Sequence, residues 1–246
     1  MTPETDLAFA SCEALVRRAD PDRYLSALFA PSDRRPLLYS LYAFNHELAH
    51  ISEAVREPMM GEIRLQWWRE GIESARAQRP RAHDILRTLA VVFEATELPR
   101  CLFDGMIDAR AFDFSGKAFP DKAARDAYLD STSGNLMRLA GRILDTGDTH
   151  DDFAREAGIA YGLAGLLRSQ AFHAARTKVM IANPAEATED ARAHLTRARQ
   201  LVRPGTALPA FLPAALVPIY LRNPARDVPV HRKQIAMLGA ALRGRP

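Results

Sequence analysis

The 246-residue chain is expected to fold as an all-α protein, and composition, helical periodicity and turn placement lead to that expectation. Alanine supplies 42 residues, whereas valine and isoleucine together supply 19. Alanine is the best helix former and the β-branched pair are the main strand formers, so the bias is towards helix and against large sheets with dinucleotide fingerprints. Apolar residues recur at helical spacing, and proline, glycine, asparagine and aspartate fall between the periodic stretches.

The elements follow in order. Asp6–Ala19 places Leu7, Ala10, Ala14 and Leu15 on one face and ends before Asp20-Pro21-Asp22. A short helix, Arg23–Phe29, precedes Pro31-Ser32-Asp33, which reads as the N-cap of a long helix from about Arg34 to Glu57. Pro36 costs nothing there, because the first amides of a helix lack intrahelical partners. Pro58 marks its end. The next helix, Met59–Ala77, carries Ile63, Gln66, Trp67 and Glu70 on one stripe and closes at Gln78-Arg79-Pro80. Further helices are expected at His83–Ala95, Pro99–Phe112, Lys122–Leu144, Asp151–Ala174, Pro184–Val202, Leu208–Leu221 and His231–Leu242. No connection has the length or the Gly/Ser content of a domain linker, so residues 1–246 read as a single domain.

Charge and cysteine content narrow the function classes. The net charge is +3, with 33 basic residues spread among 30 acids. There is no basic run and no aromatic–basic interleaving, so nucleic acid is not an expected partner. Cys12 and Cys101 are isolated, which excludes a disulfide framework and suits a reducing cytoplasm. The N-terminus opens with acids rather than a basic flank, unlike a signal peptide. The charge-free stretch Gly205–Leu221 is interrupted by Pro209, Pro213 and Pro218. It reads as a buried terminal pair of helices, with peripheral membrane contact at most.

Two helices carry residues with chemical potential. In the first, His46, Ala49, His50 and Glu53 share a face. In the second, Gly158, Gly162 and Gly165 precede Arg168, Ser169 and His173. Glycine costs about 1 kcal/mol in a helix relative to alanine, so the three imply either close helix contact or space for a ligand. His46-Glu47-Leu48-Ala49-His50 also matches HExxH, the pattern in which two histidines bind zinc and the glutamate polarises water, with Glu70 as a third ligand. No strand precedes it to form the usual substrate edge, so a zinc-dependent hydrolase is the minor alternative. Trp67 and Trp68 are adjacent, so one alone can face the core.

Tyr24-Leu25-Ser26-Ala27-Leu28-Phe29-Ala30-Pro31 with Arg34-Arg35, Leu41-Tyr42-Ala43-Phe44, Trp67-Trp68-Arg69-Glu70 and Leu163-Ala164-Gly165-Leu166-Leu167-Arg168 resemble, in order and spacing, the conserved blocks of the phytoene/squalene synthase family. The resemblance covers nearly the whole chain and implies an isoprenoid-synthase-type helical bundle around a central cavity. It also implies two facing aspartate motifs that hold Mg²⁺ against substrate diphosphates. Here the first motif's aspartates fall on Ala49 and Glu53, with its arginine on His46; those of the second fall on Ser169 and His173. The Gln and Asn ahead of the second fall on Gly162 and Gly165, while Tyr42 and Arg168 match.

The chain thus resembles the aspartate-lacking branch of the family, which includes a mitochondrial factor for assembly of respiratory complex I. That branch implies a non-catalytic binding or assembly role, in the cytoplasm or peripheral to the inner membrane, with a respiratory-complex protein as partner and an isoprenoid or other lipid in the cavity. The expected cavity residues are Tyr42, His46, His50, Glu53, Arg168, Ser169 and His173, with no catalytic residue, no cofactor and no metal. Arg168, as a buried guanidinium, is expected to face Glu53 or a bound anion. Asp108 and Asp113 are assigned structural roles. The alternative is a Mg²⁺-dependent prenyltransferase with a relocated site built from Glu47, Glu53, Glu62 and Asp104. A remodelled transition-metal site would draw on His46, His50, Glu53 and His173.

Overall fold

The computed structural model describes residues 2–55, 57–170, 180–201 and 204–246, and no strand occurs among them. The helices are α1 (Pro3–Ala19), α2 (Pro21–Ala27), α3 (Arg35–Ala54), α4 (Pro58–Arg76), α5 (Asp84–Ala95), α6 (Arg100–Ala109), α7 (Lys122–Leu129), α8 (Asn135–Leu144), α9 (Asp151–Arg168), α10 (Pro184–Gln200) and α11 (Val230–Arg243). Their apolar faces merge into one core that runs from Phe9 to Ala240.

Capping explains several starts. Thr2 accepts from the Thr5 amide, and Asp20 closes α1 and caps α2 by accepting from the Arg23 amide at 3.1 Å. The expected cap at Asp33 is not made, because residues 32–34 form a turn and α3 begins at Arg35 without a side-chain cap. Two faces also differ from expectation. On α1 the buried stripe is Ala8, Phe9, Cys12 and Val16, leaving Leu7 72% exposed. Phe9, Cys12 and Val16 remove more apolar area from water than a face made largely of alanine. On α4 it is Gly61, Leu65, Trp68, Ile72 and Ala75, and Ile63 points outward.

Two expected helices are broken, each for a local reason. Lys122–Leu144 is helical throughout, but residues Asp130–Gly134 form a π turn between α7 and α8. Its sequence, Asp-Ser-Thr-Ser-Gly, has low helix propensity, and Gly134 packs directly against Gly158 of α9. Residues 205–222 form a chain of short turns rather than one helix. Pro209, Pro213 and Pro218 each lie at the second position of a new segment, where the missing N–H costs nothing; inside a longer helix it would interrupt the ladder. This stretch is long and apolar enough to cross a membrane by composition, yet 67% of it is buried among the other helices.

Candidate functional site

A cavity of about 610 Å³ opens between the start of α2, the middle of α3, the π turn, α9 and the segment leading into α11. Asn45, Ala49 and His50 of α3 face Gly162, Gly165 and Leu166 of α9 across it. The three α9 glycines divide between the two roles expected of them. A Cβ on Gly158 would lie 2.6 Å from the Gly134 backbone, and one on Gly162 would lie 2.8 Å from Leu129. A Cβ on Gly165 would meet nothing within 4 Å among the described residues, so this glycine opens the wall.

The floor of the cavity is a buried polar network. Asp22, 4% exposed, accepts from Lys233 Nζ at 2.7 Å, from Tyr161 Oη at 2.8 Å and from the Tyr220 hydroxyl. Burial pushes the Asp22 pKa up, but the bonds from Lys233, Tyr220 and Tyr161 outweigh it and hold the carboxyl below its ordinary value. Burial and the nearby Asp22 charge raise both tyrosines in turn. Beside them Arg23 donates to Asp20 Oδ2 at 2.6 Å and lies 5.1 Å over the Tyr161 ring. On the opposite rim Arg110 bonds Tyr128 Oη at 2.9 Å and Asp113 at 3.3 Å. Buried charges persist only when paired in this way.

Sequence reasoning missed Asp20, Asp22, Arg23, Arg110, Tyr128, Tyr161, Tyr220 and Lys233. One signal was present: lysine is scarce, at 4 residues, and Lys233 repeats with Met237 and Ala240 on the inward stripe of α11. A charge at that register is a buried charge.

Of the expected site residues, His50 and Arg168 line the cavity. Arg168 does not face Glu53. Its guanidinium stacks 4.0 Å over the Tyr220 ring and comes within 3.9 Å of Asp227, which is fully exposed. Glu53 sits in the last turn of α3, also exposed, with its carboxylate 3.8 Å from His50 Nε2. Tyr42 lies behind the cavity wall, fully buried, with Arg23 5.9 Å over its ring, and burial raises its pKa. Ser169 closes α9 and donates to the Leu166 carbonyl at 3.2 Å. His173 lies outside the described residues.

The His46 and His50 rings lie 3.9 Å apart, and His50 Nδ1 bonds the His46 carbonyl at 2.9 Å. Burial and the neighbouring His50 lower the His46 pKa. Glu70, the third ligand of a zinc triad, is held instead by Arg81 at 2.6 Å and Gln66 at 3.0 Å. Of the acids considered for a relocated Mg²⁺ site, Asp104 pairs with Arg100, and none of Glu47, Glu53, Glu62 and Asp104 lines the cavity. Its carboxylates are Asp20, Asp22 and Asp227, each beside a cation, and no group of three metal-ligating side chains occurs among the described residues. This donor set does not fit a diphosphate-bridging Mg²⁺ site, which needs free carboxylate oxygens.

The remaining singled-out residues lie outside the cavity lining. Trp68 is buried edge-on to Phe44, while half-buried Trp67 lies under Arg81. Asp108 binds Arg69 at 2.6 Å. Cys12 and Cys101 are free thiols.

The squalene/phytoene synthase family model matches residues 16–184. Over 171 residues the chain is 29% identical to human "NADH dehydrogenase (ubiquinone) complex I, assembly factor 6", covering 69% of this chain and 51% of that protein. The mouse protein of the same name is 27% identical over 240 residues, 86% of this chain and 72% of its own. The chain therefore spans about half the length of the human relative. Among solved structures, a dehydrosqualene synthase in complex with a ligand superposes with a TM-score of 0.82 at 14% identity, over 98% of this chain and 97% of its own. Squalene synthase HpnC from Alicyclobacillus acidocaldarius gives 0.72 at 16%, over 100% and 98%. These two likenesses concern the fold.

Proposed function

Because the chain belongs to the squalene/phytoene synthase family, we propose that it uses that fold without prenyl transfer, as a binding or assembly factor for a respiratory complex. The observation that carries this reading is the pairing of the two inner cavity carboxylates with cations of the same wall, Asp22 with Lys233 and Asp20 with Arg23. A carboxylate already neutralised in this way has little reason to recruit Mg²⁺. The similarity to the mammalian assembly factors supports the choice of respiratory complex I. In this reading residues 1–246 work as one domain without metal or cofactor, in the cytoplasm beside the membrane that holds the complex.

The cavity keeps a role in this proposal. Its size suits a small ligand; its arginines and tyrosines suit an anionic head, and Ala49, Leu129 and Leu166 beside them suit an apolar tail, as in an isoprenoid diphosphate or another lipid. Arg168 is the head's anchor, since its own carboxylate partner is distant and solvated.

The test has two arms. Deleting the gene should lower assembled complex I, read as in-gel NADH dehydrogenase activity, and leave isoprenoid products unchanged. Purified protein with Mg²⁺ and farnesyl diphosphate should yield no condensation product; formation of one would overturn the proposal.

A further inference from the structure

Helix α11 has two apolar stripes. Its inward stripe is Lys233, Met237 and Ala240, and Lys233 is neutralised by Asp22. At 3.6 residues per turn, Ile235, Leu238 and Leu242 point to the opposite side. They are 68%, 52% and 82% exposed. An outward apolar stripe on a helix already docked by its other face has no partner among the described residues.

The charge around this stripe has one sign. Residues 228–246 contain no aspartate or glutamate, although acids make up 30 of the 246 residues overall. Arg232 and Arg243 flank the stripe along one side of the helix. At its C-terminal end Arg199, Arg243 and Arg245 surround a hollow of about 640 Å³ with Pro246. Arg245 donates to the Arg199 carbonyl, and Arg199 Nε to the Pro246 main-chain oxygen at 2.8 Å. None of the three arginines forms an ion pair with an aspartate or glutamate among the described residues, and burial together with Arg243 lowers the pKa of Arg199. Gly239 leaves space for the returning Arg243 guanidinium, since a Cβ there would lie 3.2 Å from it.

We propose that the outer face of α11 and the arginines at its end form a docking surface for a bilayer bearing anionic phospholipids. Apolar side chains enter the acyl boundary while guanidiniums meet phosphates, the arrangement by which interfacial helices bind membranes. Charge complementarity favours this occupant over a second copy, which would bring another acid-free, arginine-bearing helix against the first. The surface supplies the membrane contact that the assembly reading leaves unassigned. The assay contains no respiratory complex, so its failure leaves that reading standing.

The experiment is vesicle flotation of the full chain. It should float with phosphatidylcholine vesicles containing about 30% phosphatidylglycerol and remain unbound with phosphatidylcholine alone. Ile235→Ser/Leu238→Ser/Leu242→Ser should weaken binding at least about tenfold. Arg243→Glu/Arg245→Glu should do the same and flatten the salt dependence. Because the three apolar side chains are exposed, thermal unfolding of the serine variant should stay within about 2 °C of the parent. Wild-type protein that ignores anionic vesicles, or a serine variant that floats equally well, would overturn the proposal. So would full displacement by soluble glycerol phosphate, which would mark a headgroup site without a bilayer. A dimer that the serine variant turns into a monomer would assign the face to a second copy, and a protein partner lost with that variant while flotation persists would assign it to protein; either result overturns the proposal.

Discussion

The Asp22 carboxylate and the Lys233 ammonium meet at 2.7 Å across 211 positions of sequence, both buried. The pair ties the first turn of α2 to the inward stripe of α11, and so fixes which way the last helix faces.

Removing one partner of a buried pair strands the other charge. Lys233→Met should cost about 3–5 kcal/mol in urea unfolding. The double variant Asp22→Asn/Lys233→Met should recover part of that loss, because no uncompensated charge remains. A double variant as unstable as Lys233→Met would show that the pair is not the source.

The pH dependence follows from the same carboxylate. The folded pKa of Asp22 is depressed, because the Lys233, Tyr220 and Tyr161 bonds outweigh the upward push of burial. The unfolded chain therefore binds more protons in this range, and stability rises with pH. The contribution is complete above roughly pH 4, the ordinary carboxylate range, and is lost as pH falls through the folded value. Asp190, where burial is outweighed by Lys122 and Arg125, and Glu156, where it is outweighed by Arg197 and His194, act with the same sign. Unfolding free energies measured between about pH 5 and 2 should fall steadily. Asp22→Asn should flatten part of that slope.

Two glycines two turns apart on one face of α9 should respond oppositely to the same change. Gly158→Ala places a methyl against the Gly134 backbone and should cost about 1–3 kcal/mol through overpacking. Gly165→Ala meets no atom of the described residues and should be neutral or stabilising by up to about 1 kcal/mol, the helix propensity gain. Thermal melts of the two variants decide the point; equal losses would mean that α9 is packed differently.

Arg168 should matter to binding more than to stability. Its stack on Tyr220 is partly solvated and is worth about 0.5–1 kcal/mol. Arg168→Ala should therefore move the melting temperature little, yet weaken farnesyl diphosphate binding about tenfold, as expected for loss of a charge-assisted contact. Calorimetric titration of parent and variant would check this, and unchanged affinity would remove Arg168 as the anchor.

The legible and the illegible parts of the sequence differ in range. Helix positions follow from periodicity within a dozen residues, and Pro209, Pro213 and Pro218 announce their breaks locally. The resemblance directs attention to α3 and α9, and His50 and Arg168 line the cavity between them. The Asp22 network was not readable, because its partners Tyr161, Tyr220 and Lys233 lie 139, 198 and 211 positions away. Asp20-Pro21-Asp22 reads as turn punctuation, and nothing adjacent shows that Asp22 is buried. The stripe on α1 was misjudged for a different reason: two adjacent helical faces both carried apolar residues, and Phe9 and Val16 decided between them by size.

The π turn at Asp130–Gly134 acts as a phase shifter. One residue more than an α-helical turn requires is accommodated there, which rotates everything after it by about 100°. Thr132 and Ser133 reach the cavity by this offset, while Leu136, Leu139 and Ile143 keep their place in the core. Deleting any one residue of the five would turn the bulge into regular α-helix, leaving the buried face of α8 where it is and taking from the cavity the offset that brings Thr132 and Ser133 to it. The extra residue thus serves the cavity alone: the core face of α8 is indifferent to it, and Thr132 and Ser133 are not.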